Sequence, residues 1–577
     1  MQVEHGRHAN VPMELPGENA IVYGFLWLFA ILLALMTSRH AMFGDEAQAW
    51  LIARDSGNLL ELAQHLRYEG HPALWYLLLY LPAHLSASLV WMQAVNYVLA
   101  LAMAWMVLTE RRLSLAMRIM AVFGVFVFFH MGLMARNYML AAVLLVGASR
   151  CLLAGRPRHW LAMVLLALAV NAHVFAIPVA AGIFVWFYWL DPEPSLRVAA
   201  GRLREWRFWI STAVLGVALL VCYFTVRPAP DGATPDYNIP GASWLDYLVI
   251  GTGRLWSYFV PFIPQMLAEP LREKLIPELH PSMVAAVLSV ALWLLIVSSL
   301  ATPRSRWFFV STSLAWLATV WATVHAPSPH HISILFVVLL IALMLNVPEK
   351  GERPWLPFRY AQSVLVVLLA MQMAMSIEYS VLAWFHPFSG AEATAEWLER
   401  AGLTERPLVV EPDYAASVVL ARTGVRSAYF PTCRCQGPFV VFRKGRDSNR
   451  QVTVEEIKAI KRESGMTPVV LSHWPLSVDS LQQMGLRPLY RSPHGFFWPY
   501  EDMYVYGDNG LPKTESSAAL TGARPGQNRV GCCPDRKTGG GIGAAIPTCS
   551  SAAGAHLVRR DAIRSSSSCR VRQQQRR

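Results

Sequence analysis

The stretch HWLAMVLLALAVNAHVFAIPVAAGIFVWFYWL, residues 159–190, decides how this chain is built. As a single helix its 32 residues would extend about 48 Å. That is too long for one crossing of a roughly 30 Å hydrocarbon core and short for two full ones. Charge breaks the tie. Arg156 and Arg158 precede the stretch, and Arg197, Arg202, Arg204 and Arg207 follow it. Basic clusters beside membrane spans favour the cytoplasmic side. Both ends therefore belong on one face, and the stretch is expected to cross twice, turning near 171–174.

Working outward, further apolar blocks fall at 21–38, 88–108, 117–133, 137–154, 208–226, 281–301, 307–325, 331–347 and 360–378. With the double crossing they make 11 expected spans, with the N-terminus inside. The loops assigned to the inner face hold 13 Lys/Arg in 46 residues, against 8 in 123 on the outer face. The contrast follows the positive-inside rule. It requires 72–87 and 244–266 to be outer-surface or re-entrant helices. Composition agrees, since charged residues are 15% of the 577 and hydrophobic ones 54%, where soluble domains carry about 25% charged. The first span lacks a small-residue cleavage site and is expected to be retained as an anchor.

The net charge of +12 is no nucleic-acid footprint, because 12 Lys/Arg against 4 Asp/Glu sit in residues 507–577. That tail, with runs of Gly, Ser and Gln, is expected to be disordered. Residues 388–506 alternate helix-like and strand-like stretches. The strand-like ones are 407–410, 439–442 and 468–471, and the helical ones 391–401, 413–422 and 453–464. A small α/β domain is expected there, and an odd number of crossings puts it outside the cytoplasm. Residues 1–20 form an inner N-terminal segment, and 21–387 the membrane domain with outer loops 39–87 and 227–280. Cys433 and Cys435 leave a disulfide and a metal both open.

With this topology the unusual polar residues gather on the outer face. They are Asp45 and Glu46 in GDEAQAW (44–50), Glu69 and His71 in EGHPALWYLLL (69–79), Arg136 and Tyr138 in ARNYML (135–140), His173 in NAHVF (171–175), Arg254, and His325, His330 and His331. Charged groups at the bilayer centre cost at least about 2.5 kcal/mol each, so such residues face a cavity or the interface. Each also has a plain structural role available. Asp45 and Glu46 suit the first turn of a helix, Arg136 a membrane edge, His173 a hydrogen-bonded core, and the His330–His331 pair an interface.

In this order the four motifs resemble the integral-membrane glycosyltransferases of the GT-C class, most closely the protein O-mannosyltransferase and lipid A aminoarabinose transferase group (glycosyltransferase family 39-like). The likeness covers residues 20–380 and is strongest over 40–180. It implies transfer of a sugar from a polyprenyl-phosphate donor to a glycan, lipid or protein acceptor outside the cytoplasm, in the plasma (inner) membrane, with no nucleic-acid partner. By this resemblance Asp45 is the general base, with Glu46 or Glu69 assisting. Arg136 and His173 hold the phosphate, Arg254 is a second cation, and His71, Tyr138, His330 and His331 line the substrate site. Relatives differ in metal use, so a divalent ion (Mg or Mn) is left open. The chain departs from the family pattern in three places: Ala73 follows Pro72, Asn137 stands where relatives carry an acid, and Pro329 precedes the histidine pair where relatives carry Arg. The competing reading is a non-catalytic lipid-linked-glycan carrier, or a membrane scaffold with an outer sensing domain.

Overall fold

A computed structural model describes residues 17–191, 195–233, 243–260, 281–324, 327–348, 352–497, 501–508 and 510. His325, the first 16 residues and the tail beyond 510 lie outside the described residues. Helices dominate. In chain order they are α1 (Glu18–Thr37), α2 (Gly44–Asp55), α3 (Leu59–Leu66), α4 (Leu74–Leu85), α5 (Val90–Leu108) and α6 (Leu115–Phe123), then a π-helix, Phe126–Leu133. There follow α7 (Asn137–Leu153), α8 (His159–Ala172), α9 (Ala176–Ile183), α10 (Leu196–Arg202), α11 (Trp206–Val226) and α12 (Trp244–Phe259). The last of the helical region are α13 (Pro281–Ser299), α14 (Pro303–Thr323), α15 (Pro329–Leu345) and α16 (Phe358–Phe385).

Among the described residues five helices are long and apolar enough to cross a membrane: Glu18–Thr37, Val90–Leu108, Leu115–Leu133, Trp206–Val226 and Arg359–Phe385. They mark a multi-pass membrane protein. Their outer faces carry exposed apolar side chains such as Trp27, Ile31, Leu220 and Phe224, a surface that water does not favour but lipid does. Helix α15 lies at the centre instead, buried at every position from Ile332 to Leu345, as a helix that is apolar all round should be. The 159–190 stretch breaks where Ala172 ends α8 and His173 turns extended, φ −154° and ψ 136°. The two shorter helices on either side pack against each other.

The C-terminal region is a mixed six-stranded sheet with helices. Its strands are β1 (Leu408–Glu411), β2 (Ala428–Phe430), β3 (Cys435–Gly437), β4 (Val469–Ser472), β5 (Arg487–Arg491) and β6 (Tyr504–Gly507), in the order β3-β2-β1-β4-β6-β5. Strand β1 runs parallel to β2 and β4, while the outer pairs are antiparallel. Its helices include α17 (Ala391–Arg400), α18 (Ala416–Thr423), α19 (Val454–Ser464) and α20 (Val478–Met484). In open α/β sheets the carboxyl ends of the parallel strands are where ligands bind. Here that edge closes on α2: Tyr414, just past β1, and Glu501, just before β6, both meet Gly44.

The apolar run 439–442 is not the strand its composition suggested. Its backbone is used elsewhere: Val440 bonds the Gln48 side chain through both its N–H and its carbonyl, and the Phe442 carbonyl accepts from Ala233 N. The ring of Phe439 lies against His65. The hydrophobicity of the run therefore serves the contact with the helical region. Cys433 and Cys435 are joined in a disulfide.

Candidate functional site

The site is organised by the first turn of α2. Phe43 caps the helix in extended geometry without a side-chain acceptor, and Glu46 reaches back to accept from Phe43 N at 3.2 Å. The same carboxylate pairs with His40 Nε2 at 3.0 Å and accepts from Ala135 N at 2.6 Å. Glu46 is fully buried and its oxygens are taken up by these three partners. It joins the start of α2 to the residue before Arg136 and is spent on holding the backbone.

Asp45 differs from its neighbours. It is the exposed position in an otherwise buried stretch, half of its side chain accessible, and its Oδ2 stands 3.1 Å from Arg136 Nη1. Arg136 is buried, and its guanidinium lies over the rings of Phe43 and Tyr138. The pairing with Asp45 is ionic contact without hydrogen-bond alignment, so Nη1 has no hydrogen-bond partner among the described residues. Two buried asparagines place this cation. Asn96 donates to the carbonyls of Met131, Gly132 and Met134, pinning the end of the π-helix that leads into Arg136. Asn137 donates to the Ala172 carbonyl at 3.0 Å, tying the start of α7 to the α8–α9 turn.

That turn delivers His173 against Tyr138, ring centroids 4.3 Å apart. His173 Nδ1 accepts from Phe175 N at 3.0 Å, which puts the proton of the neutral ring on Nε2. Nε2 is buried and has no hydrogen-bond partner among the described residues. Around Tyr138 and His173 lie His330, 5.3 Å from the Tyr138 ring, His331, 6.1 Å from it, and His71, 6.0 Å from the His173 ring. His330 and His331 also serve the N-terminus of α15. His331 Nδ1 accepts from Ser328 N, and the Ser328 hydroxyl bonds both rings. Arg254 donates to the Pro327 carbonyl at 3.2 Å and stands within electrostatic reach of His331, at the margin of the cluster.

The loop between α3 and α4 adds Glu69 and His71. Glu69 is half-buried and surrounded by protein. Burial raises its carboxyl to about 7, with Asp45 adding to the rise, while the Gln48 hydrogen bond and Arg136 oppose it. Burial and the Arg136 charge hold His71 down to about 4. Among the described residues no group of three or more His, Cys, Asp or Glu side chains is arranged to hold a metal ion. The carboxylates present do not form a cage, since Glu46 is spent on the backbone.

Sequence reasoning missed two contributors. Gln48 lies inside the GDEAQAW motif, and Glu501 lies far away in the α/β region. Glu501 accepts from Gly44 N at 2.5 Å, immediately before Asp45, and from the Ser389 hydroxyl at 2.5 Å. Burial, then the nearby Asp45 and Glu46, push its carboxyl up to about 8 against the pull of these hydrogen bonds. Compared with known proteins, the chain matches no family model, no curated protein and no solved structure.

Proposed function

We propose that this protein is a membrane glycosyltransferase of GT-C type, moving a sugar from a polyprenyl-phosphate donor to an acceptor on the extracytoplasmic face. The observation that carries the reading is convergence. Asp45, Glu69, His71, Arg136, Tyr138, His173, His330 and His331 come from five separate segments and meet around one exposed carboxylate. In that cluster the buried His173 Nε2 has no hydrogen-bond partner among the described residues, and the buried Arg136 Nη1 has only its ionic contact with Asp45. Buried donors without acceptors are costly, and a phosphate supplies acceptors in quantity.

In the proposed reaction Asp45 takes the proton of the acceptor hydroxyl or amine. The freed lone pair attacks the anomeric carbon opposite the phosphate, and the bond from that carbon to the phosphate oxygen breaks with its electron pair. Polyprenyl phosphate leaves. Arg136, which has five N–H donors, gives some to the leaving oxygens while staying paired with Asp45, and His173 Nε2–H adds another. Glu69, titrating near neutrality, assists in holding the proton. The 11-span arrangement with the α/β region outside accompanies this reading. It places the cluster on the face where lipid-linked sugars are consumed. The 14 residues of α8 give about 21 Å of helix, short of the roughly 30 Å core, so the His173 turn lies within the outer leaflet.

The test is transfer of labelled sugar from polyprenyl phosphate in membranes. Asp45→Asn should lower turnover on the order of 10²–10⁴-fold with donor binding little changed. Arg136→Ala should chiefly raise the apparent KM for donor. Full activity in both variants would favour the binding-only alternative.

A further inference from the structure

One edge of α2 belongs to the C-terminal region as much as to the helical one. Gly44 and Gln48 are four residues apart and share a face. At Gly44 the backbone N–H is taken by Glu501 Oε1. A Cβ there would stand 2.7 Å from that oxygen and 2.9 Å from the Tyr414 carbonyl, so only glycine admits the contact. One turn later the Gln48 amide is fully used. Its oxygen accepts from the Ser417 hydroxyl at 3.0 Å and Val440 N at 3.3 Å, while its nitrogen donates to the Val440 carbonyl at 2.7 Å and Glu69 Oε1 at 2.8 Å. A primary amide has two donors and two acceptor sites. Three of the four partners are in the α/β region. They fix which way the amide faces, and the remaining N–H must point at Glu69. Arg54, near the far end of α2, adds a contact with the Leu420 carbonyl.

We infer that Glu501 and Gln48 are positioning residues of the transferase site, through which the α/β region sets where Asp45 and Glu69 stand against Arg136. The inference rests on the glycosyltransferase reading of that site. Neither residue touches the reacting atoms. Glu501 acts on Asp45 through the adjoining peptide, and Gln48 acts on Glu69 through one hydrogen bond. Misplacing a reacting group by about 1 Å costs on the order of 10²-fold in rate, whereas donor affinity is held by Arg136 and His173, which this clamp does not contact.

The experiment uses the full chain in phosphatidylethanolamine–phosphatidylglycerol nanodiscs, with kcat and donor KM for sugar transfer and hydrogen exchange by mass spectrometry. Glu501→Leu and Gln48→Leu should lower kcat by roughly 10–100-fold, with donor KM within about twofold. Glu501→Gln keeps an oxygen for Gly44 N and an NH₂ for the Ser389 hydroxyl, and should retain most of the turnover. Ser417→Ala removes a single partner of the Gln48 oxygen and should lower kcat several-fold; it decides the matter if the leucine variants fail to fold. Exchange over 43–50 should rise in Glu501→Leu while 137–153 stays as in the wild type. Wild-type kcat in the folded variants, or a change confined to KM, overturns the inference. If the wild type transfers no sugar, the glycosyltransferase reading fails, and the exchange arm still reports whether the clamp holds α2.

Discussion

Glu501 is a carboxyl that the protein keeps almost entirely from water, 1% exposed, with its two oxygens committed to Gly44 and Ser389. Its ordinary value is 4.5, and in the fold it titrates at about 8. Glu69 moves the same way, to about 7. The folded state therefore binds these protons more tightly than the unfolded chain does. The stability they contribute is complete below about 4.5 and drains as pH climbs through 7 and 8. His71, held down to about 4 from 6.5, works in the opposite sense, but only below 6.5. Between pH 6.5 and about 8.5 the acids decide. The protein in detergent should lose apparent stability over that interval, at up to about 1.4 kcal/mol per pH unit for each titrating proton. Glu501→Gln should flatten much of the slope. A melting temperature that rises across the interval in the wild type would contradict the burial of both groups.

Among the elements, the segment from the π-helix to α7 shows how a site is held by polar contacts that have nothing to do with substrate. Asn96 is 1% exposed and its amide nitrogen serves three carbonyls. Replacing Asn96 with Leu leaves those carbonyls without that donor, at about 1–3 kcal/mol. It should lower the unfolding midpoint and, by loosening Arg136, raise donor KM. A variant as stable as the wild type would show that water replaces the amide. The same scale explains what could be read beforehand. The break near 171–174 was legible because arginines flank both ends of 159–190, a signal of orientation that needs no knowledge of packing. Asp45, Arg136 and His173 were legible as polar residues out of place in apolar surroundings. Gln48 and Glu501 were not, because their partners lie 369, 392 and 457 residues away along the chain and nothing nearby distinguishes them from surface polar groups. Strands β2 and β3, three residues each, are too short for alternation to register. The run 439–442 looked like a strand because burial against α2 and α3 selects the same apolar residues that a sheet would.

For the whole molecule, orientation is the property to measure. Leu60, 70% exposed on α3, and Ser195, which caps α10, belong to opposite faces in the 11-span arrangement. Single cysteines at these positions, in a background lacking the native cysteines, should react with a membrane-impermeant maleimide from opposite sides of sealed vesicles. Reaction of both from one side would scatter the proposed site across the bilayer. The Cys433–Cys435 disulfide fits an α/β region outside the cytoplasm, where thiols oxidise and stay oxidised. The bond between Gly44 N and Glu501 also sets an order of events in time. A ribosome delivers Asp45 among the first segments and Arg136 and His173 soon after, but the carboxyl that seats α2 emerges only when nearly all of the described fold has been made. A chain inserted as far as α16 has every residue assigned to the chemistry and still lacks the carboxyl that takes the Gly44 N–H. The seating of α2 therefore waits for residues made well after the last of the helical region, and on the proposed glycosyltransferase reading a copy halted before Glu501 should be inactive.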